Sequence, residues 1–150
     1  MNEEKWMREA LKEADKARIK DEVPIGAVIV CDNKIIARAY NRKEETKKAV
    51  AHAELLAIEK ANKKIGDWRL TECELYVTIE PCLMCVGAII QSRLKKVVYG
   101  AHDKKFGAIE SVVHSFEYEG WNHYPEIIGG ILNEECSKIM TEYFGKKRSK

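Results

Sequence analysis

The sequence predicts an α/β layered domain, a central sheet with helices on both of its faces. Three observations carry this. Helical apolar stripes alternate with short strand-length apolar runs along the whole chain, the order that builds a sheet covered by helices. The run IGAVIVC at residues 25–31 is apolar without alternation, as a strand buried on both faces is. At 150 residues, 45% apolar and 33% charged, the chain has the size and composition of one packed core, which argues for a single domain over 1–150 and against a disordered or fibrous chain.

In order, residues 3–20 carry Trp6, Met7, Ala10, Leu11, Ala14 and Ala17 at the spacing of an amphipathic helix, which Pro24 ends. The strand 25–31 follows. Asp32 and Asn33 are turn residues, so KIIARAYN at 34–41 is expected to fold back as the second arm of an antiparallel hairpin. Residues 52–65 carry Leu55, Leu56, Ile58, Ala61 and Ile65 at helical spacing, and Gly66 closes that helix. ELYVTIEP at 74–81 alternates Leu75, Val77 and Ile79 inward and is stopped by its proline. A helix over 83–92, a strand over 94–101 and a short helix over 111–116 come next. A short strand over 126–131 precedes a last helix with Cys136, Ile139, Met140, Tyr143 and Phe144 on one side.

A net charge of +2 does not by itself require a nucleic-acid partner, and the basic tail with Lys146, Lys147, Arg148 and Lys150 reads equally as a solvated terminus. No apolar run reaches the length of a membrane span. Charged residues rather than an apolar segment follow Met1, so the expected compartment is the cytoplasm. There a close cysteine pair reads as a metal or redox site rather than a disulfide. Cys31, Cys73 and Cys136 lack such spacing and read as small buried apolar residues.

The chemistry concentrates in EPCLMC at 80–85. Pro81 suits the first turn of a helix, so Cys82 and Cys85 would share one face of that turn, where positive partial charge favours thiolate. Two thiolates leave a tetrahedral zinc short of ligands. His52 occupies the matching place at the start of another helix, with Glu54 two residues on. In mid-helix these two would point about 200° apart, but over an open helix end both can lean to one point. Three ligands leave a position for water, whose pKa falls from about 15.7 toward about 7 on zinc, with Glu54 free to carry protons. That is the kit for hydrolytic attack on an amidine-like carbon with loss of ammonia. Two other readings compete: a redox Cys-x-x-Cys pair, and a structural zinc whose fourth ligand is His102, His114 or His123.

His-Ala-Glu, 26 residues, then Pro-Cys-x-x-Cys resembles the signature of the zinc-dependent deaminases of the cytidine and deoxycytidylate superfamily. Longer runs narrow the resemblance to the bacterial tRNA-specific adenosine deaminases: VPIGAVIV at 23–30, AHAELLAIEKAN at 51–62, WRL at 68–70, LYVTIEPCLMCVGAIIQSR at 75–93, VVYGA at 97–101, WNH at 121–123 and GIL at 130–132. The resemblance implies a three-layer αβα sandwich with a mixed five-stranded sheet, cytidine-deaminase-like, and a homodimer. It implies one Zn2+ per chain on His52, Cys82 and Cys85, with Glu54 catalytic. The implied reaction turns adenosine into inosine at the wobble position of a tRNA anticodon stem-loop. Asn41, Asp103, Lys105, Asn122 and His123 match the family's substrate contacts.

Departures gather in one loop, DKKFGAIES at 103–111, where the family commonly has proline at the position of Lys104 and glycine at that of Glu110. Glutamate there is expected to strain a backbone that glycine tolerates and to repel phosphates. Val50 stands where threonine is usual, and Tyr124 where arginine often follows Asn-His. Lys47, Lys48, Lys104, Lys105 and the basic tail would meet RNA phosphates. A deaminase of a free base or nucleoside, such as guanine or cytosine, is the alternative, and a catalytically silent RNA-binding or subunit-partner protein on the same fold is a third.

Overall fold

The computed structural model describes residues 2–148, the last by its backbone alone. Its five strands are β1 (Gly26–Cys31), β2 (Lys34–Tyr40), β3 (Cys73–Ile79), β4 (Lys96–Ala101) and β5 (Glu126–Ile128). They form one sheet in the order β2-β1-β3-β4-β5. β1 pairs antiparallel with both β2 and β3, whereas β3, β4 and β5 run parallel, so the sheet is mixed. The hairpin turn is Asp32-Asn33, with φ of 52° and 60°; two left-handed central residues give the turn whose twist matches that of the flanking strands. The expected last strand is shorter than residues 126–131, ending at Ile128.

Five α-helices complete the layers: α1 (Asn2–Ile19), α2 (Lys43–Thr46), α3 (Ala53–Ile65), α4 (Leu83–Ser92) and α5 (Asn133–Arg148). One face of the sheet meets α1 and α5 through Trp6, Met7, Ala10, Val28, Val30, Tyr76, Val98 and Cys136. The other meets α3 and α4 through Ala27, Ile29, Ala57, Ile58, Leu75, Val77, Val86, Ile89, Val97 and Tyr99. Tyr76 and Thr78 are therefore buried as fully as the Leu75, Val77 and Ile79 set that alternation singles out. Contact between α1 and β1 is close: a Cβ on Gly26 would stand 2.1 Å from the Ala10 carbonyl oxygen and 2.4 Å from the Ala14 nitrogen. Removing Met7 and its neighbours from water contributes roughly 1.5–3 kcal/mol per large side chain.

Two further details depart from the sequence reading. The expected helix over 111–116 is a single 3-10 turn, Ser115–Glu117. And α2, only four residues long, has no apolar stripe to announce it. It is made by Glu22, whose side chain is buried and whose two carboxylate oxygens accept the N–H groups of Glu44 (3.0 Å) and Glu45 (2.6 Å). A distant carboxylate thus does the work of a helix N-cap.

Candidate metal centre

His52 and Cys82 are the N-cap residues of α3 and α4, with extended backbone (φ −81°, ψ 148° and φ −80°, ψ 176°). At both positions the side chain makes no capping hydrogen bond, which leaves the imidazole and the sulfur free to face each other. Cys85 lies one turn into α4 and is fully buried. The His52 Nδ1 stands 3.7 Å from the Cys82 Sγ and 3.7 Å from the Cys85 Sγ, and the two sulfurs are 3.7 Å apart. A tetrahedral ion with bonds of about 2.3 Å to sulfur and 2.05 Å to nitrogen needs edges of roughly 3.8 and 3.6 Å. The triangle fits, so the three residues could hold a metal ion. Their soft S and N donor set suits a borderline ion rather than a hard one.

Glu54 sits in the first turn of α3 beside this triangle and is 3% exposed. Burial pushes its carboxyl up to about 7, and the Cys82 sulfur pushes the same way, against the pull of its own backbone N–H, the His52 ring and the Cys85 thiol. The Cys85 thiol and the His52 ring hold Cys82 far below the usual thiol range, at about 4, despite its burial. Cys85 moves the opposite way, because one proton serves the two sulfurs. The Cys82 sulfur and the Glu54 carboxylate likewise favour the charged form of His52, against its partial burial.

Asn41 follows β2 and is tied in place by its own N–H to the Ile25 carbonyl (3.0 Å); the next N–H, of Arg42, reaches the Ala51 carbonyl (3.0 Å), one residue before His52. Asn41 is 6% exposed, and its Oδ1 has no hydrogen-bond partner among the described residues, an unusual condition for a buried acceptor. Asp103 and Lys105 lie in the loop 103–111, which is fastened to the residue preceding Cys82 by the Ala108 N–H donating to the Pro81 carbonyl (2.9 Å), while the Glu80 N–H donates to the carbonyl of Ala101 at the end of β4 (2.8 Å). The Asp103 carboxylate accepts the N–H groups of Lys105 (3.0 Å) and Phe106 (3.1 Å), so it shapes its own turn.

Two expectations about Glu110 are corrected. Glu110 is not among the residues with left-handed φ, so its backbone is unstrained. Its carboxylate accepts the Tyr99 hydroxyl, and so is tied back to the sheet rather than offered whole to a phosphate. His123 Nε2 lies 2.6 Å from the Leu94 carbonyl oxygen, just before β4 begins. β3 and β4 are parallel and the triad follows the end of β3, so at about 3.3 Å per residue His123 is roughly 20 Å away at the opposite end of these strands. His102 and His114 meet Glu80 and Glu117 respectively rather than the sulfurs.

Glu80 was missed by sequence reasoning as a functional candidate, although a glutamate directly before the Pro-Cys step was a visible signal. Of the basic tail, Lys147 pairs with Asp21 (2.8 Å), while the Arg148 side chain and Lys150 lie outside the described residues.

A model of the MafB19-like deaminases matches residues 1–148. The chain is 47% identical to the tRNA-specific adenosine deaminase of Bacillus subtilis (strain 168) over 148 residues, 99% of this chain and 92% of that protein. A solved structure from work on A-to-I editing by tRNA:A34 deaminases at the wobble position of transfer RNA superposes with a TM-score of 0.87 at 44% identity, covering 90% of this chain and 98% of that one. The guanine deaminase of Bacillus subtilis superposes with a TM-score of 0.67 at 32% identity, covering 100% of this chain and 96% of that one.

Proposed function

The chain belongs to the MafB19-like deaminases and, within them, to the tRNA-specific adenosine deaminases, and from that premise we propose a single zinc-dependent deaminase domain over residues 1–150 that acts on a tRNA anticodon stem-loop. The reaction is conversion of adenosine to inosine on tRNA, and the wobble adenosine is its target, with ammonia the second product. The observation that carries this is the 3.7 Å triangle of His52, Cys82 and Cys85 with a buried carboxyl at its side.

His52, Cys82 and Cys85 would hold the zinc, which when bound would supply a water acidic enough to ionise near neutral pH. The chain's own groups do the rest. Glu54 accepts a proton from the attacking water and delivers it to the purine ring nitrogen, then accepts a second proton from the hydroxyl now on the attacked carbon and delivers it to the departing amine, so that the water oxygen becomes the inosine carbonyl and ammonia leaves. The unpartnered Oδ1 of Asn41 accepts a hydrogen bond from the ribose or base, a pairing a buried acceptor gains from. Asp103 and Lys105 meet the neighbouring nucleotides, and the exposed Lys47, Lys48, Lys104 and Lys105 meet phosphates. Asn122 and His123 are proposed to meet the substrate away from the reacting base, His123 standing at the far end of β3 and β4.

Leu83, directly after Cys82, Val50, two residues before His52, and Phe106, in the 103–111 loop, are 63%, 53% and 68% exposed, which supports an open rim. An unpaired anticodon base can enter such a site without a lid. We also propose a homodimer. Leu83 and Met84 open α4 with apolar surface in solvent, and nothing stands within 4 Å of a Cβ built on Gly87 one turn on, so a second copy has room to pack there. No helix among the described residues is long and apolar enough to cross a membrane, and the proposed place of action is the cytoplasm.

The test offers the purified, zinc-loaded protein a stem-loop with adenosine at the wobble position beside guanine, adenine, cytosine and their nucleosides, and measures ammonia. Release from the stem-loop alone is expected. Release from guanine alone would move the assignment to the free-base deaminases.

A further inference from the structure

Glu80 is the last residue before Pro81 and Cys82, and its carboxylate is 1% exposed. No lysine or arginine pairs with it among the described residues; the one side-chain nitrogen close by is the Nδ1 of His102 at 3.6 Å. Backbone N–H groups hold it instead. Oε2 accepts those of Ile109 (3.0 Å), Glu110 (2.7 Å) and Ser111 (3.0 Å), and Oε1 accepts that of Asp103 (3.2 Å) and the Ser111 hydroxyl. Both ends of the loop 103–111 therefore close on one side chain, a nest for an anion that the protein fills with its own carboxylate. The loop is wrapped so tightly that a Cβ on Gly107 would stand 2.5 Å from both Cδ and Oε1 of Glu80.

The position of this side chain matters because Cys82 and Cys85 hang from the same strand end. One residue's backbone leads to the metal donors while its side chain carries the loop whose segment Lys104 to Phe106 is exposed to solvent. A rigid link of this kind sets the distance between the ion and that segment. We propose that Glu80 is the positioning residue that fixes the 103–111 wall against the metal centre, and so governs binding of the nucleotides beside the target adenosine rather than the deamination step. This rests on the tRNA reading above.

Glu80→Gln keeps the shape but replaces one acceptor oxygen by a donor, so N–H would face N–H on one side of the nest. The expected result is a KM for the wobble-adenosine stem-loop raised about tenfold or more, with kcat within about twofold and one zinc per chain retained. Hydrogen exchange of the 109–111 amides should accelerate while that of α4 stays put, and Glu80→Asp, which keeps the charge, should recover part of the KM. Ser111→Ala removes one donor at the surface and should shift KM the same way by less, which covers the case of a poorly folding Glu80→Gln. A fall in kcat at constant KM, loss of zinc, or unchanged exchange at 109–111 would overturn the proposal. A wild-type protein inactive on the stem-loop refutes the tRNA reading and the nucleotide-binding half of this inference with it, whereas the exchange arm still decides whether Glu80 sets the loop.

Discussion

Replacing Glu54 with Gln removes one ionisable group and no metal donor. The three donors that form the 3.7 Å triangle are untouched, so zinc content should stay at one per chain. No neighbour can take over the proton traffic. Cys82, Cys85 and His52 are the proposed donors to the ion, and the Glu80 oxygens are occupied by the N–H groups of the loop. Bulk water cannot stand in easily either, because the carboxyl at 54 is 3% exposed. One positioned proton transfer contributes about 10²–10⁴ in rate, and this carboxyl serves two, so kcat/KM should fall by at least about 10⁴, equivalent to about 5.5 kcal/mol of transition-state stabilisation. The assay is single-turnover ammonia release from a wobble-adenosine stem-loop, with zinc quantified on the same sample. Activity within tenfold of wild type would refute the proton-shuttle role, and joint loss of zinc would show that Glu54 belongs to the ligand set instead.

Thiol labelling with iodoacetamide at neutral pH should spare the zinc-loaded protein at Cys82 and, after chelation, modify Cys82 first. Its thiol is held at about 4 and is already ionised at pH 7, whereas burial pushes Cys136 and Cys73 up to about 12 and keeps them protonated; preferential labelling of Cys136 would contradict this. Gly26→Ala drives a methyl into the backbone of α1 at 2.1 Å, which should cost about 3 kcal/mol and lower the urea midpoint by at least about 1 M. An unchanged midpoint would mean that α1 does not rest on β1 as described. Stem-loop affinity should fall linearly on a log–log salt plot, and Lys104→Ala with Lys105→Ala should reduce the slope by roughly 1.4–1.8, at about 0.7–0.9 per phosphate contact; an unaltered slope would remove these two lysines from the phosphate path.

The candidate metal centre was legible in the sequence because it is assembled from two local patterns. His-Ala-Glu and Pro-Cys-x-x-Cys each mark the open end of a helix, and a helix N-terminus dictates where its first residues point without help from the rest of the chain. The hairpin was equally local, since two consecutive left-handed residues at Asp32 and Asn33 suffice to turn it. What escaped is held over long separations. The short helix α2 exists because Glu22 caps it from 22 and 23 residues away. The unstrained Glu110 answers to Tyr99 on the neighbouring strand, and the far placement of His123 follows from the parallel run of β4 and its register with β3.

By itself, then, the amino-acid order determined which residues could carry sulfur, imidazole and carboxylate to a helix end, since periodicity and turn chemistry act within a few residues. Only the tertiary structure decided that two such ends meet, that the strands lie in the order β2-β1-β3-β4-β5, and that one buried carboxylate at residue 80 gathers a loop 23 to 31 positions downstream. Those outcomes depend on which apolar faces pack together, and a face's spacing says that it is buried without saying against what.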